Sequence, residues 1–151
     1  MNLKPFSLKK SEKTALYNEA VNYLTTYHYG NCLQYKKILD LLGFNPKLNN
    51  CTTDIPFLPV RLFKDYDLLS IDKSKIIKTM SSSGTSGQSV SKIFLDKVTA
   101  INQIKVLKNI VADFLGEKRL PMIIIDTESV LRNRNQFSAR GAGILGFSIF
   151  G

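Results

Sequence analysis

Apolar residues recur at helical spacing through the first third of the chain. From Ser11 to about Tyr27 they fall at Leu16, Ala20, Val21, Leu24 and Tyr27, which predicts a helix capped by Ser11 and broken at Gly30-Asn31. A second helix is expected from about Cys32 to Leu42, with Leu33, Ile38, Leu41 and Leu42 inward and Gly43 as its stop. Phe44 to Thr53 is rich in turn residues. In Ile55-Pro56-Phe57-Leu58-Pro59-Val60 each proline holds the residue before it in β or polyproline geometry, so this stretch is extended.

The rhythm then changes. Ile76 to Met80 and Val90 to Leu95 read as strands, and Lys97 to Leu115 as a long amphipathic helix with Ile101, Ile104, Val106, Leu107, Ile110, Val111 and Phe114 as its apolar set. Gly116 ends it. Pro121-Met122-Ile123-Ile124-Ile125-Asp126 predicts a short buried strand. Strand, loop, strand, helix, strand is an α/β order, so the chain divides into a helical region, 1–54, and a partial α/β region, 55–151. Gly141 to Gly151 is apolar and glycine-rich, and the chain stops inside it. Such an ending predicts a polypeptide cut short, with Leu145, Phe147, Ile149 and Phe150 on an open strand edge that promotes self-association.

Composition narrows the classes. Of 151 residues, 44% are hydrophobic and 22% charged, as in a folded soluble domain. No apolar run reaches the roughly 20 residues of a membrane span, and the first residues lack a signal peptide's apolar core. Two cysteines, Cys32 and Cys51, make neither a disulfide framework nor a metal set, so no metal site is expected and the compartment read from them is the cytoplasm. The net charge of +9 comes from scattered lysines without interleaved aromatics, which reads as solvated helix faces rather than a nucleic-acid surface.

Chemistry concentrates between the first two strands. Ser82-Ser83-Gly84-Thr85-Ser86-Gly87 combines hydroxyl donors with glycines whose backbone can approach a ligand closely, and successive N–H groups in such a turn form an anion nest. The same composition also suits a flexible linker, but apolar strands flank it on both sides. It is not a Walker loop: Gly84 and Gly87 are three apart, Gln88 stands where that motif has lysine, and a strand follows. The lone histidine, His28, sits among tyrosines near a helix end, where packing or capping is expected of it. Arg61, Lys64 and Arg140 are candidate anion contacts or ordinary ion-pair partners.

Ser83-Gly84-Thr85-Ser86-Gly87 resembles the phosphate loop Ser-Gly-Thr-Thr-Gly-x-Pro-Lys of the acyl-CoA synthetase and adenylation-domain superfamily. Ser replaces the second Thr, Ser89 and Val90 stand for Pro and Lys, and Lys92 lies two positions beyond. His28 with Cys32 and Tyr35, Ile55 to Lys64, and Ser138-Ala139-Arg140-Gly141-Ala142-Gly143 resemble the acyl-protein synthetase (LuxE) branch, over nearly the whole chain. The resemblance implies the amino-terminal portion of an adenylate-forming ligase fold, made of helices and part of a mixed sheet. It also implies ATP and Mg2+ as cofactors and a fatty or other carboxylic acid activated as acyl-AMP. The acyl group then passes to the thiol of an acceptor protein such as an acyl reductase. Ser82 to Gly87 would bind the ATP phosphates, with Lys92 and Arg140 as anion contacts. The family's adenine, ribose, Mg2+ and catalytic-lysine motifs match no stretch here, so the chain alone is expected to be inactive. The other reading is a small non-catalytic module that binds a phosphorylated metabolite or a protein partner.

Overall fold

A computed structural model describes residues 4–82, 90–127, 130 and 136–151. Helix α1 runs Lys10–Asn31 and α2 Leu33–Leu41. A single extended residue, Cys32, ends the first and begins the second. The helix therefore passes through Gly30 rather than stopping there. Its start is also two residues earlier than expected, with Lys9 rather than Ser11 at the cap position and the Glu12 carboxylate accepting the Lys9 N–H at 3.0 Å.

The inward face of α2 differs from the expected one. Leu39 is fully buried and Cys32 nearly so, while Leu33, Leu41 and Leu42 are exposed. The stripe that turns inward is Cys32, Tyr35, Ile38 and Leu39, so the apolar count alone misjudged the rotation of a helix with leucines nearly all round. Gly43 does end it, at φ 64°.

The face of α1 toward the following connection is polar. Asn22 donates to the Asn50 carbonyl at 2.7 Å and accepts the Asn50 N–H at 2.9 Å, imitating a backbone pair. One turn earlier Asn18 accepts from the Thr52 N–H and hydroxyl, and one turn later Thr26 donates to the Pro46 carbonyl at 2.9 Å. Spacing of four residues sets these side chains in a row that clamps the chain from Pro46 to Thr52 onto α1.

Past the extended prolines comes the one-turn helix α3, Leu62–Asp65. Strand β1, Lys78–Ser81, pairs antiparallel with β2, Lys92–Leu95, and in parallel with β3, Gln136–Ser138. The sheet order is β2-β1-β3, and the whole is α/β in kind. Helix α4, Lys97–Leu115, matches the expected span; the Asp96 carboxylate caps it by accepting the Thr99 N–H at 2.8 Å, and Gly116 ends it at φ 78°.

Two expectations fail. Residues 121–126 form no strand and are exposed, Ile123 at 88% and Ile125 at 95%. A strand needs a ladder partner, and among the described residues this stretch has none. Its neighbours anchor it instead: the Leu120 N–H donates to the Phe150 carbonyl at 2.7 Å and Asp126 pairs with Arg140. The chain end is not an open strand edge either. Ala139–Phe147 is helix α5, followed by a 3-10 turn, Ser148–Phe150, that buries Phe150. Gly146 makes that packing close, because a Cβ there would stand 2.6 Å from Leu107 Cδ2 on α4. The ground for self-association through a strand edge is thereby removed.

Replacing Asn22 by Ala should lower unfolding free energy by about 2 kcal/mol, from two lost bonds and a half-buried backbone pair left unpartnered. Urea titration measures it. A loss below about 0.5 kcal/mol would mean the clamp carries little of the stability.

Candidate functional site

The Ser/Thr/Gly loop expected to bind phosphate follows a closed neck. The Ser82 N–H donates to the Ser91 carbonyl at 3.0 Å, and the Ser91 N–H donates to Ser82 Oγ at 3.0 Å. Below it Ser81 faces Lys92 in the β1–β2 register, so Lys92 stands where the loop re-enters the sheet. Of the residues assigned to phosphate, Ser82 forms the neck; Ser83, Gly84, Thr85, Ser86 and Gly87 lie outside the described residues.

The parallel pairing of β1 with β3 adds a second element to this edge. Ser81 is in register with Ser138, so both strands point their carboxyl ends the same way. The neck of the loop and the first turn of α5, with Arg140, therefore share one edge of the sheet. In open sheets the carboxyl ends of parallel strands are where ligands bind. Arg140 Nε pairs with Asp126 Oδ2 at 3.0 Å, the acid largely sheltered and the arginine exposed. Arg61 pairs with Asp65 at 3.4 Å within α3, and Lys64 is exposed. Among the described residues no group of three or more His, Cys, Asp or Glu could hold a metal ion.

A cleft of about 780 Å3 lies between the carboxyl half of α1, the 58–71 crossover, and β2 with the first turns of α4. His28 Nδ1 is 2.7 Å from Ser70 Oγ, and the Tyr27 hydroxyl donates to the Ser70 carbonyl at 3.3 Å. The imidazole meets Tyr27 and Tyr35 edge-on at 5.3 and 6.3 Å between ring centres. Half-burial pushes its pKa below the usual 6.5 by desolvating the charged form. Cys32, one turn on, is buried, whereas Cys51 is exposed. Ser70 belongs to no motif, and its meeting with His28 was not legible in the sequence, because the two are 42 positions apart.

The sequence model of the acyl-protein synthetase family, LuxE, matches residues 1–150. The chain belongs to the acyl-protein synthetase (LuxE) family. It is 33% identical over 76 residues to a long-chain-fatty-acid–luciferin-component ligase of Vibrio harveyi. That stretch is 50% of this chain and 20% of the relative, so the match spans about a fifth of the relative's length. No helix among the described residues of this LuxE-family chain is long and apolar enough to cross a membrane.

A folded-state pKa below 6.5 at His28 means stability that is full above pH 6.5 and lost as pH falls through the folded value. Melting temperature should therefore drop as pH is lowered below 6.5, and His28→Gln should flatten that step. An unchanged pH profile in the variant would show that His28 is not its source.

Proposed function

We propose that this chain is the amino-terminal part of an acyl-protein synthetase that uses ATP to activate a fatty acid. The acid's carboxylate oxygen attacks the α-phosphorus, forming acyl-AMP and releasing pyrophosphate, and the acyl group then passes to a protein thiol with loss of AMP. Ser83 to Gly87 would grip the phosphates, and Ser82 would hold the loop's base. The observation that carries the proposal is the family match over residues 1–150, joined to the placement of the loop's neck and Arg140 on one sheet edge. The relative's name, a long-chain-fatty-acid ligase, supports the choice of acid.

Preorganised N–H and O–H donors suit the first step because negative charge builds on phosphate oxygens there. Adenine and ribose contacts and the catalytic lysine would come from the remaining length of such a ligase. The apolar stripe of α4, with Ile101, Ile104 and Phe114 exposed, supports coverage by further chain.

Changing Thr85 and Ser86 together to Ala removes two charge-assisted bonds, each worth about 1.5–3 kcal/mol. ATP affinity of the 151-residue chain should fall at least tenfold with little change in melting temperature. Unchanged affinity by calorimetry would take the loop out of ATP binding. The chain alone should release no pyrophosphate on adding a fatty acid, since positioning supplies much of such a rate. Carboxylate-dependent release would contradict the division of labour proposed here.

A further inference from the structure

We propose that the cleft between α1, the 58–71 crossover and β2 takes the long apolar tail of the acid, with its carboxylate toward Lys92. The inference rests on the ligase reading and extends it to a subsite. Apolar side chains reach it from each side, Leu24 from α1, Leu58 and Phe63 from residues 58–71, Ile93 and Phe94 from β2 and Val98 from α4, beside the polar Thr99, Asn102 and Gln103 of α4. The volume, about 780 Å3, lies within the roughly 300–1,000 Å3 of small-molecule sites.

Some of the polar groups at the rim are already paired. His28 and Ser70 satisfy each other, the Tyr27 hydroxyl is bound to the Ser70 carbonyl, and Asp96 caps α4. Half-burial pushes the His28 pKa down, and the Asp96 carboxylate lines the same cleft. Lys92 is the one lysine or arginine among the cleft's described lining residues, and it stands beside the loop's neck. An acid held this way would have its head next to the ATP phosphates and its tail away from them.

Calorimetry with straight-chain carboxylic acids of eight to sixteen carbons, below their micelle concentrations and without ATP, tests the proposal on the 151-residue chain. Affinity should rise with length by up to about fourfold per methylene. Leu24 and Val98 are 48% and 65% exposed, so Leu24→Glu and Val98→Glu should fold normally, and each should weaken hexadecanoic acid at least tenfold. Ile123→Glu, on the exposed stretch outside the cleft, should leave binding unchanged. Lys92→Ala should weaken the acid severalfold and leave its methyl ester unaffected.

Cleft variants that bind like the parent, or an Ile123→Glu variant weakened equally, would overturn the proposal. So would binding that ignores chain length. ATP affinity, measured separately without acid on the parent, Leu24→Glu and Val98→Glu, should be present and equal in all three. Failure of the ligase reading would appear in that arm, and failure of the cleft in the other.

Discussion

The four residues of β1 carry hydrogen-bond ladders on both edges, and the rest of the α/β region hangs from that double pairing. The antiparallel ladder to β2 brings Ser82 and Ser91 together and sets α4 immediately after β2. The parallel ladder to β3 puts the start of α5 beside the loop's neck. A parallel neighbour cannot be reached by a tight turn, so a long crossover is required, and α4 lies within it. If β1 lost either partner, the loop and Arg140 would no longer share an edge.

Around this small sheet, little is buried. Among the described residues the buried apolar side chains are Cys32, Leu39, Leu95 and Phe150. Much of the local order comes instead from polar contacts: the asparagine clamp on α1, the Asp96 cap, the Asp126–Arg140 pair and the His28–Ser70 bond. Such contacts each contribute modestly, and they fix position more than they supply stability. The proposed function needs exactness of that kind at the sheet edge, while the exposed stripe of α4 leaves a surface for the larger ligase assumed there.

Several features were readable from residue order. Helix α4 was legible because an apolar period and a terminal glycine agree, and the structure adds the Asp96 cap. Strands β1 and β2 were found with shifted starts, since a bounded apolar run marks a strand but not where its ladder begins. β3 was not found, because three residues, Gln136 to Ser138, show no alternation. Residues 121–126 and 141–151 misled for the opposite reason: strong apolar runs looked like strands, and tertiary partners decided otherwise. The family was legible through the Ser/Thr/Gly loop and Ile55 to Lys64. The cleft was not, because its walls come from distant segments and its central polar contact joins residues 42 positions apart.

The central claim is that ATP phosphates bind at the carboxyl edge shared by β1 and β3. Amide NMR of the 151-residue chain titrated with ATP addresses it most directly. The account predicts the largest shifts from Ser82 through Ser91 and in the first turn of α5 around Arg140, with α2 and the Asn45–Asn50 connection unmoved. Shifts centred on α1 and α2, or none at saturating ATP, would contradict it.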